Sequence, residues 1–577
     1  MISKWRIFMT ASCGSIVMAQ ACTAANEPVE KNVPTYDTII ANGVLYDGSG
    51  SPGQELDIAI DGDLIVAIGE LDDAKADTII DATGRAVSPG FINMLSWGPE
   101  SLIEDGRSLS DITQGVTLEV FGEGWSMGPW TEKMKEGQLK SQTNIQYDIK
   151  WSTLGEYLQY LEERGVSPNV ASFVGATTLR IKHLGFEDRA PTEEELKAMQ
   201  ADVAFAMEEG AMGVGSSLIY APAFYAQTEE LIALVDTAED YGGSYITHMR
   251  SEGAKLVEGV EEVLEIAEAT GAGVEIYHLK AAGQENFSKM DTVLRMVNAA
   301  RANGVDIRAN MYTYTAGSTG LNAGMPPWVQ EGGYEAWVER MKDPKIREQL
   351  LVEIETPTDE WENIYLASGG ADGVLLVGFR NPDLQPLTGK TLAEVAAMRG
   401  TSPAETMIDL VIEDGSRVEA VYFMMSEENI RKQIAQPWVS FQSDAPTLAP
   451  EGVFLKESVH PRAYGTFARL LGKYVRDEKI ISLEEAIRRL TSLPAENLKI
   501  EDRGLLKKSY YADIVVFNPE TITDYATFEN PHQLSVGVDH VFVNGEQVVR
   551  DGVHTGAKPG RVVRGPGFQS NDEDYRK

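Results

Sequence analysis

Gly243-Ser244-Tyr245-Ile246-Thr247-His248 and, thirty residues further on, Val274-Glu275-Ile276-Tyr277-His278 are the stretches on which the reading of this chain turns. Each is a short apolar run ending in a histidine. Their separation matches one strand-helix-strand unit, which places the two runs on adjacent strands. The pattern continues in both directions, with apolar runs at Val116 to Gly122, Val305 to Tyr314 and Trp438 to Gln442. Between the runs, Thr192-x-x-Glu195, Ser288-x-x-Asp291, Thr391-x-x-Glu394, Ser402-x-x-Glu405 and Ser482-x-x-Glu485 resemble capping boxes that open helices. Gly210, Gly271, Gly304, Gly400 and Pro494 mark helix ends. Strands alternating with helices from residue 91 to 500 make an α/β protein with a parallel sheet. At this length a (β/α)8 barrel is the expected architecture, with a doubly wound sheet as the alternative.

The flanks read differently. Residues 36–90 hold short strands broken by Asp47-Gly48, Asp61-Gly62 and Gly84, and residues 501–565 return to the same pattern. There Asn544-Gly545 joins two strands as a hairpin signal. The two patches are expected to pair as one small β-sandwich built from both chain ends.

Composition bounds the partners. The 577 residues carry 50 Lys+Arg against 88 Asp+Glu, a formal charge of −38, which argues against nucleic acid or an anionic membrane surface. Lys4 and Arg6, an apolar stretch from Ile7 to Met18 and Ala19-Gln20-Ala21 before Cys22 read as an export signal over residues 1–22. Cys22 at the first mature position leaves two outcomes open, a lipid-anchored periplasmic protein or plain secretion. The only other cysteine, Cys13, lies inside the signal, so the mature fold is expected to have no disulfide and no thiolate metal ligand.

In a barrel the chemistry sits where strands end. Four runs end in a group able to bind a metal or carry a proton: Glu123, His248, His278 and Asp444. Glu119 shares a strand face with Glu123 but lies deeper. Each position also has a plain structural reading, as a hydrogen-bonded core histidine, a helix cap or a solvated turn residue.

Further motifs carry a resemblance. Val87-Ser88-Pro89-Gly90-Phe91-Ile92, Gln114-Gly115-Val116-Thr117, Thr247-His248-Met249-Arg250-Ser251-Glu252 and His278-Leu279-Lys280 occur in order. They are followed by Tyr314-Thr315-Ala316-Gly317-Ser318-Thr319, Ser443-Asp444, His460-Pro461-Arg462-Ala463-Tyr464-Gly465-Thr466 and Ala512-Asp513-Ile514-Val515-Val516-Phe517. In this order they resemble the N-acyl-D-amino-acid deacylases of the amidohydrolase superfamily, from about residue 38 to 565. The resemblance implies a metal-containing (β/α)8 barrel with a β-sandwich and hydrolysis of an N-acyl amino acid or peptide-like amide.

The departures are specific. Where such enzymes place His-x-His on the first strand, this chain has Leu95 and Trp97; Gly124 stands at the family's cysteine ligand, and Ala176 at another common histidine. What remains is similar to the single-metal N-acetylglucosamine-6-phosphate deacetylases: Glu123, His248 and His278 around one ion, with Zn²⁺ favoured and Fe²⁺, Mn²⁺ or Co²⁺ compatible. The resemblance further implies Asp444 as the proton carrier, with Lys280, Tyr312 and Ser318 binding the substrate carboxylate. Arg250 and Arg431 are additional candidates, since guanidinium binds carboxylate bidentately. The lost histidines leave a second reading open, a metal-free former hydrolase acting as a binding or scaffold protein.

Overall fold

The computed structural model describes residues 34–569. Among them, eight parallel strands close into a barrel: β1 (Phe91–Asn93), β2 (Val116–Phe121), β3 (Asn169–Ser172, continued by Val174–Gly175), β4 (Gly213–Ser217), β5 (Ser244–His248), β6 (Val274–Ile276), β7 (Ile307–Met311) and β8 (Val439–Phe441). Neighbours pair in sequence order, and β5 pairs β6 with Thr247 opposite Ile276. The ring closes between β8 and β1, where Met94 N donates to Phe441 O at 3.4 Å and Asp444 N to Leu95 O at 3.0 Å. The doubly wound alternative is thereby excluded. Strands such as β2 are buried at every residue, as expected of parallel strands covered by helices.

The outer helices include Leu154–Arg164, Glu193–Glu208, Thr228–Glu239, Leu256–Thr270 and Met290–Ala302. Capping boxes form at Thr192, Thr391 and Ser402, while Ser482 caps its helix from one side only. Ser288 does not cap. It sits inside the 3-10 turn Gln284–Lys289, which runs directly into the next helix. Pro494 falls in the first turn of the short helix Ser492–Asn497, where a missing N–H costs nothing, and so it does not end a helix.

Both chain ends build the sandwich. One sheet holds Thr35–Ala41, Asp57–Asp61, Leu64–Gly69 and Lys75–Asp81. The other joins Val44–Leu45, Gln54–Glu55 and Ala86–Pro89 to Ile514–Phe517, Val538–Val543, Glu546–Arg550 and Val553–His554. Ala86–Pro89 pairs antiparallel with Ile514–Phe517, putting Val87 opposite Val516. Between the sheets lie Ile40, Ile58, Ile60, Ile514, Val516 and Phe542. Asn544 and Gly545 take φ of 48° and 78°, the left-handed pair that a two-residue hairpin needs.

One unit is not visible in the sequence reading, which runs the barrel unbroken from 91 to 500. After β7 the chain leaves the barrel and builds a three-stranded sheet from Gly317–Gly320, Val374–Gly378 and Glu419–Tyr422. Helices such as Tyr334–Lys342, Pro344–Ile354 and Pro403–Asp414 cover it around a separate core that includes Trp337, Leu376 and Tyr422. The signal residues and Cys22 lie outside the described residues. Among the described residues, no helix is long and apolar enough to cross a membrane.

Candidate metal centre and active site

Glu123 follows β2 between two glycines that the local backbone requires. Gly122 has φ of 107°, and a Cβ there would lie 2.3 Å from Phe173 O; Gly124 has φ of 68°. His248 ends β5. His278 follows β6 with φ of 32°, a left-handed value unfavourable for a residue with a side chain, and its N–H is fixed by Asn310 Oδ1 of β7 at 2.8 Å.

These three side chains meet. His248 Nδ1 and His278 Nε2 each lie 2.9 Å from the same oxygen of Glu123, Oε1, and all three residues are buried. The imidazoles stand nearly perpendicular, at 80° and 4.4 Å between ring centres. Behind them sits a fourth residue that the sequence reading passed over. Glu252 Oε1 lies 3.0 Å from His278 Nδ1, and Oε2 lies 3.4 Å from His248 Nε2. Glu252 thus stands behind both rings, within hydrogen-bond reach of His278 Nδ1, which Lys280 Nζ also approaches at 2.7 Å, while His248 Nε2 has no aligned partner among the described residues. Lys280 Nζ contacts both oxygens of Glu252 at 2.7 Å.

The electrostatics fit a cation. Burial opposes charge on Glu123, yet His278 and His248 outweigh it and hold the carboxyl down at about 2. Burial and Lys280 pull His278 down, but Glu252 and Glu123 prevail and raise it to about 9. The pocket thus draws positive charge to the point where three ligand atoms converge. Two imidazole nitrogens and one carboxylate oxygen suit Zn²⁺.

Asp444 follows β8 with φ of 47°. Its Oδ1 accepts from Trp97 Nε1 at 3.1 Å, and its Oδ2 lies 2.7 Å from Arg462 Nη1. Arg462 is the second residue that sequence reasoning missed, although the His-Pro-Arg run had been noted. Its guanidinium stacks 4.6 Å from the Tyr312 ring centre, with Nη2 3.3 Å from Ser318 O. Its Nε and Nη1 are buried without an aligned hydrogen-bond acceptor.

The remaining candidates divide. Tyr312 lies beside Arg462 and 5.9 Å from Lys280 Nζ. The Ser318 hydroxyl is spent on Ala420 O at 3.1 Å, so that residue reaches the group through its carbonyl. Arg250 and Arg431 are not drawn in. Arg250 is saturated by Glu262 and by the carbonyls of Phe224 and Ala226, and Arg431 pairs with Glu478 and Glu427. Both arginines serve the outer layer. Glu119 turns away from the histidines and accepts from Ser96 Oγ at 2.7 Å and Ser108 Oγ at 2.6 Å. A cavity of about 370 Å³ adjoins Glu123 on the β1–β3 side, lined by Trp97, Trp125, Met127, Ile145, Phe454 and Val459 among others.

Residues 78–549 match the model of the amidohydrolase family. The chain belongs to that family. This amidohydrolase is 33% identical to the D-aminoacylase of Alcaligenes xylosoxydans xylosoxydans over 529 residues, 92% of this chain and 97% of the relative. It is 30% identical to the same organism's N-acyl-D-glutamate deacylase over 92% of this chain and 96% of the relative. A solved D-aminoacylase, described as having a binuclear centre with one-metal activation and second-metal attenuation, superposes with a TM-score of 0.76 at 31% identity. That match covers 92% of this chain and 100% of the solved one. The amidohydrolase is accordingly a metal-dependent enzyme that cleaves amide carbon–nitrogen bonds.

Gly124 and Leu95 offer no metal ligand, and the backbone holds Gly124 to glycine. A Cβ at Gly124 would lie 2.1 Å from Ser217 Oγ and 2.9 Å from Ser217 N, so the position cannot hold a cysteine without moving β4. Leu95 is fully buried and apolar.

Two predictions follow from this geometry. The purified amidohydrolase is expected to hold one ion per chain; His248→Ala and His278→Ala abolish its retention, and Glu252→Gln weakens affinity about 10–100-fold. His183→Ala and His554→Ala retain the ion, since His183 pairs with Asp202 and His554 with Ser167. Elemental analysis showing two tightly held ions, or retention in both ligand variants, would refute the three-residue site.

The second concerns Glu119, whose carboxyl burial pushes up to about 7 despite its two serine donors. Because the folded state holds this proton more tightly than the unfolded chain, its contribution is intact at low pH and is lost as pH rises through about 4.5 to 7. Glu119→Gln removes that loss. The variant should gain on the parent by on the order of 1–3 kcal/mol between pH 5 and pH 8, read from denaturant midpoints. Parallel pH profiles would contradict the buried-acid assignment.

Proposed function

We propose that this amidohydrolase is a mononuclear zinc N-acyl-D-amino-acid deacylase. The observation that carries the proposal is the convergence of His248 Nδ1 and His278 Nε2 on one oxygen of Glu123, with Glu252 behind both rings. When bound, the ion supplies Lewis acidity to the scissile carbonyl and lowers the pKa of the attacking water.

The chain's own residues supply the rest. Asp444 accepts a proton from the attacking water and returns it to the leaving amine, so that water and amide become carboxylic acid and amine. The Nε–H of Arg462, which has no hydrogen-bond partner among the described residues, with Tyr312 and Lys280 holds the substrate's α-carboxylate. Charge supports this arrangement. Three carboxylates, Glu123, Glu252 and Asp444, face two fixed cations, Lys280 and Arg462, leaving one negative charge. A divalent ion turns that to one positive charge, which a substrate carboxylate cancels. The acyl group extends to the cavity on the β1–β3 side, whose aromatic and aliphatic lining suits an apolar chain. The named relatives act on N-acyl-D-amino acids, and similarity over nearly the whole chain supports the D configuration.

The test is a hydrolysis screen of N-acetyl and longer N-acyl amino acids of both configurations, together with D-residue dipeptides, with and without chelator. D-substrates should be cleaved and chelator should stop it; preference for L-substrates would overturn the assignment. In the same assay Asp444→Asn should lower kcat about 10²–10⁴-fold while keeping its metal. Loss of the ion in that variant would make Asp444 a ligand instead.

Export belongs to the same proposal, supported by Lys4, Arg6, the apolar stretch and Ala19-Gln20-Ala21 before Cys22. Cell fractionation should find the mature chain outside the cytoplasm, and a chain retaining residues 1–22 inside the cell would refute this.

A further inference from the structure

The residue standing where the family has its second first-strand histidine is not an empty replacement. Trp97 sits on the extension of β1, which is zipped to the extension of β8. Ser96 bridges Ala445, Trp97 N donates to Ala445 O at 3.0 Å, and Asp444 N donates to Leu95 O at 3.0 Å. The backbone therefore fixes the spacing between the indole and the Asp444 carboxylate, and Trp97 Nε1 donates to Asp444 Oδ1 at 3.1 Å. The rest of the ring faces the cavity beside Glu123, with 39% of the residue exposed. An indole nitrogen donates only and has no lone pair for a metal. At this position the chain presents a hydrogen-bond donor and not a metal ligand.

The other side of Asp444 shows why a donor is needed there. Oδ2 lies against Arg462 Nη1, and the adjacent Nε of the same guanidinium has no acceptor among the described residues. A carboxylate beside such a fork tends to rotate and take it with both oxygens, the stronger bidentate arrangement. That rotation would turn both Asp444 oxygens away from the attacking water and occupy the guanidinium meant for the substrate. A fixed donor on Oδ1 opposes it. We infer that Trp97 is a positioning residue: its indole N–H keeps Asp444 from closing onto Arg462, leaving the carboxylate for proton transfer and the guanidinium for the substrate carboxylate. The inference rests on the proposed role of Asp444.

The experiment uses the full mature, zinc-loaded enzyme with N-acetyl-D-glutamate and N-acetyl-D-leucine as probes. Two variants remove the N–H and keep an aromatic ring: Trp97→Phe and Trp97→benzothienylalanine, the latter nearly isosteric with tryptophan. Each should lower kcat about 10–100-fold with zinc content and melting temperature unchanged, less than the about 10²–10⁴-fold of losing the proton carrier itself. Combined with Asp444→Asn, neither should lower kcat further, because a group acting through Asp444 has nothing left to position. Unchanged kcat in the benzothienylalanine enzyme would overturn the inference. So would loss of zinc, or an equal fractional loss with and without Asp444. An active Asp444→Asn enzyme is a different failure: it removes Asp444 from the reaction, and the role of Trp97 with it.

Discussion

Burying Glu123 among the strand ends is the constraint that shapes the rest of the molecule. A carboxylate removed from water costs several kcal/mol unless opposite charge and hydrogen bonds surround it. Here the compensation comes in layers. Two imidazoles face Glu123, Glu252 stands behind the imidazoles, and Lys280 stands behind Glu252. No layer is stable alone in a dry interior; the end of β2 supplies Glu123, and the ends and following loops of the adjacent β5 and β6 supply the imidazoles, Glu252 and Lys280.

At the β8-to-β1 seam the β1 end is held by a polar network: Asn93 Nδ2 donates to Asp111 Oδ1 and Ser443 Oγ, and Glu119 ties Ser96 to Ser108. Burial and the charge of Glu119 raise the Asp111 carboxyl well above its usual range. The cluster of Glu123, His248 and His278 lies apart from this network, on the β2, β5 and β6 side.

Much of this was legible in the sequence, because strand-end position has a periodic signature. Apolar runs ending in His248, His278 and Asp444 gave the strands and the candidate groups together, and Asn544-Gly545 with the flanking strands gave the sandwich. Glu252 and Arg462 were not legible, for a physical reason. Both lie past the strand ends, Glu252 in a loop and Arg462 at the first position of the helix Arg462–Arg469, and each reaches the site through contacts made across the fold. Arg250, two residues before Glu252, looked the better anion binder by residue type; its fork was already filled by Glu262 and two carbonyls. The unit at 317–422 was missed because its strands and helices have the same local periods as the barrel's.

The placement of that unit is not incidental to the metal centre. Glu362, which it contributes, accepts from Ser251 Oγ at 2.7 Å, from Glu252 N at 2.9 Å and from Gly253 N at 3.1 Å. Ala282 N donates to Glu252 O at 2.7 Å, and Gly283 N donates to Met424 O at 2.9 Å. The loops after β5 and β6 are therefore joined to each other and to the unit that follows β7. Burial and the nearby charge of Glu252 push the Glu362 carboxyl up to about 7. A carboxylate accepted there at such cost has one evident return: it fixes three consecutive donors, and with them the backbone that aims Glu252 at two histidines. The extra unit acts on the chemistry through the loop it clamps, two contacts removed from the ligands.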